Sequence, residues 1–133
     1  MKKIDELHIP DDRLYSDDHE WVVTEGDIIR IGISDFAQDQ LGDIVFVELP
    51  KIGAQIGRNK EFGVVESVKS VSDLFLPVGG EVAAVNTDLD KSPNLINDSP
   101  YDKGWIIEVK PDSSEELNEL MAADKYRGML RGE

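Results

Sequence analysis

The chain has 133 residues, with 14 Lys and Arg against 28 Asp and Glu, a formal net charge of −14, and no cysteine. That length suits one domain, able to bury about two-thirds of its unfolded surface without disulfides or a metal staple. The missing thiols exclude disulfide frameworks, thiolate zinc sites, iron–sulfur clusters and cysteine nucleophiles, and the acidic balance disfavours nucleic acid and anionic membranes as partners.

Met1-Lys2-Lys3 is followed by no apolar run, so neither a signal peptide nor a transit peptide is expected. No stretch approaches the ~20 apolar residues of a membrane span, and the cytoplasm is the default location. Residues 1–14 read as a charged lead-in. Trp21–Thr24 and Ile28–Ile33 predict a hairpin about the turn Glu25-Gly26-Asp27, with Ile29, Ile31 and Ile33 sharing one face. Ser34 as N-cap and Gly42 as terminator bracket a short helix. Asp43–Leu49 is apolar on both faces, which predicts a strand buried on both sides.

Phe62–Val68 and Ser70–Leu76 predict two strands on either side of Lys69, and Pro77–Gly80 a turn. Glu81–Asn86 and Trp105–Lys110 are further strands, separated by a polar loop with one helical turn. Ser113 and Glu116 form a capping-box pattern, so a helix of two to three turns is expected within residues 113–131. Leu117, Leu120 and Met121 would lie on one face of it. The fold class is mostly β (α+β), a single domain over residues 1–133, because short strands dominate and no βα alternation occurs.

Familiar chemistry is largely missing. His19-Glu20 begins like a zincin helix, but Val23 stands where the second histidine belongs. Asp88–Pro93 begins like a calcium loop with Pro where Gly is required. Asn97-Asp98-Ser99 matches a glycosylation acceptor without a secretory signal to use it. Neither His8 nor His19 sits near a plausible nucleophile. Catalysis by the chain's own side chains is therefore not expected. Lys69 is the only basic residue between Lys60 and Lys91. If the flanking runs pair, it stands in solvent at a hairpin tip, open to modification. A lysine in a surface turn is ordinarily just solvated, and this turn lacks the Asn-Gly or Asp-Gly signature, so residue patterns leave its role open.

Longer segments are more specific. His19-Glu20-Trp21-Val22, Gly32–Gln38, Leu41–Pro50, Phe62–Lys69, Ser72-Asp73-Leu74, Gly80-Glu81-Val82 and Ser99-Pro100-Tyr101 with Gly104-Trp105 occur in order. Together they resemble the H-protein family of the glycine cleavage system, from about Tyr15 to Tyr126. The resemblance implies a barrel-sandwich hybrid of two small antiparallel sheets with a C-terminal helix, and lipoate attached as an amide to Lys69. Glu66, Ser67, Val68, Ser70 and Asp73 would give that lysine its hairpin context. Biotin carriers typically flank their lysine with Met, whereas Val68 and Ser70 stand here.

The implied role is to carry an aminomethyl group from the pyridoxal-phosphate enzyme glycine decarboxylase (P-protein) to a tetrahydrofolate-dependent aminomethyltransferase (T-protein). Dihydrolipoyl dehydrogenase (L-protein) reoxidises the arm, and a lipoate ligase or lipoyl/octanoyl transferase installs it. Glu20, with His19 beside it, is the expected contact for the arm's ammonium, since a carboxylate accepts a charge-assisted hydrogen bond. Ser70 replaces the usual Ala, Asp17-Asp18 is unusually acidic, and Phe75-Leu76 is more apolar than is common in the family. Two other readings remain open: a relay passing octanoyl or lipoyl groups onward, and an unmodified β-sandwich interaction module.

Overall fold

A computed structural model describes residues 2–132; Met1 and Glu133, the ends of the expected domain, lie outside the described residues. The strands are β1 (Leu14–Tyr15), β2 (Glu20–Glu25), β3 (Ile28–Ile33), β4 (Ile44–Glu48), β5 (Gln55–Ile56), β6 (Glu61–Ser67), β7 (Val71–Phe75), β8 (Gly80–Val85) and β9 (Ile107–Pro111). The helices are α1 (Asp35–Leu41), α2 (Asp88–Lys91), α3 (Leu95–Asp98) and α4 (Ala123–Leu130). Six strands form one sheet, in the order β1-β2-β3-β9-β8-β5, and three form another, β4-β6-β7. Every pairing described is antiparallel. This is the expected two-sheet β-rich fold.

Two cores form. Val22, Ile29, Ile31, Ile33, Val47, Val65, Leu74 and Val109 lie in one, between the sheets. Ile9, Tyr15, Trp21, Ala123 and Tyr126 make the other, under α4. Full burial of such side chains contributes roughly 1.5–3 kcal/mol each. Trp21 is completely buried, and its indole N–H donates to the Pro100 carbonyl at 2.9 Å. Gly32, opposite Trp21 in the ladder, makes room for the ring: a Cβ there would lie 2.6 Å from it. The lead-in is docked, since Ile9 belongs to the second core and Tyr15 pairs with Met121.

Three local expectations are corrected. The β4 strand is not buried on both faces, for Val45 and Phe46 are 54% and 50% exposed. The register shifts between Ile44 and Phe46, and such a bulge carries one residue out of alternation. Phe46, Glu66 and Val71 then form one row on the outer face of the small sheet, and Glu48, Val64 and Asp73 another. The polar loop after β8 holds two single-turn helices, α2 and α3, rather than one.

The C-terminal helix is broken. Residues Ser114–Glu119 form a 3-10 helix, and α4 begins only at Ala123. Between them Met121 exchanges two backbone hydrogen bonds with Tyr15, both 2.8 Å, which requires extended chain. The capping box does not close either. Ser113 Oγ accepts from Glu115 N–H, while Glu116 accepts the N–H of distant Gly79 at 2.9 Å. The apolar stripe is shared between cores, with Leu117 and Leu120 on the first and Met121 on the second.

Candidate functional site

Lys69 is exposed between β6 and β7. The turn Ser67-Val68-Lys69-Ser70 closes with Ser67 N–H donating to the Ser70 carbonyl at 2.8 Å. Two-residue hairpins favour primed turns, which need positive φ; neither Val68 nor Lys69 has it. The Ser67 hydroxyl does the work instead, accepting from Lys69 N–H at 3.3 Å and Ser70 N–H at 3.1 Å. This is a serine side chain standing in for a backbone turn.

The tip is tied down from beneath. Val68 N–H donates to the Asp43 carbonyl at 3.0 Å. Asn97, on α3, clamps both sides of Asp43: it accepts from Ile44 N–H at 2.9 Å and donates to the Gly42 carbonyl at 2.9 Å. Gly42 ends α1 with φ 80°, a conformation that glycine takes without strain. A Cβ at Gly42 would lie 3.3 Å from Lys69 Cε, so the lysine stem runs along this glycine. Among the described residues the Lys69 ammonium forms no ion pair and no hydrogen bond.

A groove of about 290 Å³ lies alongside, lined by Asp18, His19, Phe36, Ala37, Gln40, Leu41 and Ser72. Phe36, Ala37 and Leu41 come from α1 and provide an apolar wall. Asp18 and His19 come from the turn between β1 and β2. Ser72 comes from the inner side of β7. A larger depression of about 480 Å³, around Arg30, Leu95 and Trp105, includes no hairpin residue.

His19 has φ 71°, the left-handed position that closes a three-residue hairpin loop. Its Nδ1 lies 2.8 Å from the Tyr126 hydroxyl, and its ring meets Phe36 at 4.7 Å between centroids. Burial holds its basicity below the ordinary value, while Asp18 and Asp17 oppose that effect.

Glu20, the expected contact for the arm's ammonium, is a buried residue of β2. It is 2% exposed, and its Oε1 accepts from the Ser16 hydroxyl at 2.7 Å. Burial pushes the carboxyl up to about 8; Ser16 and the Phe75 backbone draw it down, and Asp18 adds to the rise. Glu20 is not part of the groove lining.

The structure thus brings Ser67, Val68, Lys69 and Ser70 together at the tip and puts His19 in the groove. Glu66 and Asp73 sit in rows of the outer sheet face, away from the groove-lining Ser72. Sequence reasoning missed Phe36, Ala37, Gln40, Leu41 and Ser72. The signal for Phe36, Ala37, Gln40 and Leu41 was available only as a short helix with apolar residues, which resembles ordinary packing, and Ser72 was one polar position within a strand. Asp18 was visible as an unusual acidic pair with Asp17.

An exposed lysine on a hairpin tied down by hydrogen bonds, with a mixed apolar and polar groove alongside, is a geometry that suits a domain carrying a group on a side chain. The glycine cleavage H-protein family profile matches residues 13–133. The chain is 54% identical over 125 residues to a glycine cleavage system H protein of Bacillus subtilis, covering 94% of this chain and 98% of that protein. It is 52% identical over 126 residues to the one of Halalkalibacterium halodurans, covering 95% and 98%. The crystal structure of a glycine cleavage system H protein from Mycobacterium marinum superposes with a TM-score of 0.84 at 40% identity, covering 92% of this chain and 98% of that one. The chain belongs to the glycine cleavage H-protein family.

Proposed function

We infer that this chain is the lipoyl carrier of the glycine cleavage system, with lipoate joined as an amide to Lys69 Nζ. The observation that carries this reading is the exposed Lys69 stem lying along Gly42, next to Leu41 of a groove with an apolar wall and the Asp18 carboxylate in its lining. When bound, lipoate supplies a disulfide–dithiol couple that accepts a one-carbon amine and is later reoxidised.

The chain's own residues position and shelter. Ser67 and the Val68–Asp43 hydrogen bond hold the tip still, so the attached arm sweeps a fixed volume at raised effective concentration. Phe36, Ala37 and Leu41 offer a seated arm an apolar wall that would shield it from water. Asp18, His19, Gln40 and Ser72 provide acceptors and donors there. A cation seated in the groove would draw the Glu20 carboxyl back toward ionisation, since an opposite charge favours the charged form.

Chemistry belongs to the partners: glycine decarboxylase, aminomethyltransferase and dihydrolipoyl dehydrogenase, with a lipoate ligase or transferase for attachment. The outer sheet face, where Phe46 and Val71 flank Glu66, is the proposed surface they grip. The bacterial relatives support the cytoplasm as the compartment. Intact mass after incubation with lipoate ligase, lipoate and ATP tests the attachment. One lipoyl adduct is expected, abolished by Lys69→Arg. A chain that stays unmodified, or an adduct that survives Lys69→Arg, overturns it. Added to the other three components, the lipoylated chain should restore glycine decarboxylation.

A further inference from the structure

Tyr126 on α4 is fully buried and stacks on Tyr15 at 4.6 Å between centroids, with ring planes 2° apart. Its hydroxyl touches two groups, Ser34 Oγ at 2.8 Å and His19 Nδ1 at 2.8 Å. Ser34 caps α1, and its Oγ accepts the Ala37 N–H at 3.2 Å. Three oxygen and nitrogen atoms therefore form a chain from the start of α1 to the imidazole.

The protons on this chain have one arrangement that satisfies every donor. Ser34 is fully buried, and the Tyr126 oxygen is the only acceptor described for its hydroxyl hydrogen. If Tyr126 donated to Ser34, the serine hydrogen would be left without an acceptor in a dry site, which folded proteins avoid. Ser34 thus donates to Tyr126, and Tyr126 donates to His19 Nδ1. An Nδ1 that accepts leaves the neutral ring with its proton on Nε2. Burial, which disfavours the charged imidazolium, acts in the same direction. Nε2 has no partner among the described residues, and the ring lines the groove beside Phe36.

We propose that Tyr126 is a positioning residue for the carrier site: through Ser34, it fixes the tautomer and plane of His19 so that an Nε2–H donor faces the arm groove. This rests on the groove being the shelter of the Lys69 arm. It gives α4 a part in a groove whose lining otherwise draws only on residues 18–72. It also explains why a histidine occupies a left-handed position at the groove wall, held there from behind by the C-terminal helix.

The first readout needs no arm. The chain has two histidines, so His8→Gln leaves one imidazole in a 15N-histidine-labelled, unlipoylated full chain. Long-range proton–nitrogen spectra near pH 8 should show the Nε2–H tautomer, with the Nδ1 signal displaced by an accepted hydrogen bond. In Tyr126→Phe that signal should move toward free imidazole while circular dichroism is unchanged. Ser34→Ala, which removes the donor behind Tyr126 together with the cap of α1, should move it part of the way. The second readout uses the loaded chain. Release of its carbon unit to water should quicken roughly three- to tenfold in Tyr126→Phe, the effect of one neutral hydrogen bond. An Nδ1–H tautomer in the parent, or an Nδ1 signal unmoved by both variants, overturns the Ser34–Tyr126–His19 hydrogen-bond chain. Unchanged release in Tyr126→Phe while His19→Ala accelerates it overturns the positioning role. Unchanged release in His19→Ala strikes the groove reading instead, and the spectra of the unmodified protein still decide the hydrogen-bond chain.

Discussion

Replacing Glu20 by Gln should change how stability depends on pH, in a direction opposite to the usual carboxylate. The folded carboxyl titrates near 8 because burial disfavours its charged form, against 4.5 for the exposed group. Over that interval the folded chain holds a proton that the unfolded chain has lost. Stability falls with rising pH wherever the folded state binds the extra proton. The group's contribution therefore declines from about pH 4.5 to about pH 8 and is level above, once both states are ionised. A span of about 3.5 pH units at about 1.4 kcal/mol per unit sets an upper value of about 5 kcal/mol. Gln keeps the size and an acceptor for the Ser16 hydroxyl but has nothing to ionise. Urea unfolding of the parent and Glu20→Gln, from pH 5 to 9, gives a difference in which other titrations cancel. The variant should match the parent near pH 5 and exceed it by several kcal/mol at pH 9. Parallel profiles, or a parent that gains on the variant as pH rises, would refute the reasoning, since either means the carboxylate is tolerated where it sits.

Two further outcomes probe the hairpin. Ser67→Ala removes the acceptor for two tip amides; because they are exposed, the stability loss should be about 0.5–1 kcal/mol, while the rate of lipoate attachment, followed by intact mass, falls. Asn97→Ala strands the Ile44 N–H and the Gly42 carbonyl. About 2 kcal/mol of stability should be lost in thermal unfolding, and attachment at Lys69 should slow although Asn97 does not line the groove.

Much of the secondary structure was legible because its causes are local. The alternation of Ile29, Ile31 and Ile33, the turn at Gly26 with φ 64°, and Ser34 capping α1 through Ala37 N–H all depend on neighbours in sequence. Lys69, the lysine proposed to carry lipoate, stood out through its surrounding segments. The turn that carries it was not, for Ser67 replaces the expected Asn-Gly by a side-chain hydrogen bond. The exposure of Val45 and Phe46 was also hidden, since a bulge against β6 leaves no mark in an apolar run.

The amino-acid sequence by itself determined a β-rich acidic fold without thiols of its own, and one lysine set between two strands. Periodicity and turn chemistry act over a few residues, so they survive without the rest of the molecule. Tertiary structure alone decided where that lysine leads. The groove is assembled from Asp18 and His19, from α1, and from Ser72. Its histidine is held by a tyrosine 107 residues away. The proton on Glu20 likewise belongs to the fold, because it is kept by desolvation. Desolvation and hydrogen-bond direction are set by whatever packs alongside, and packing joins residues that the chain order keeps apart.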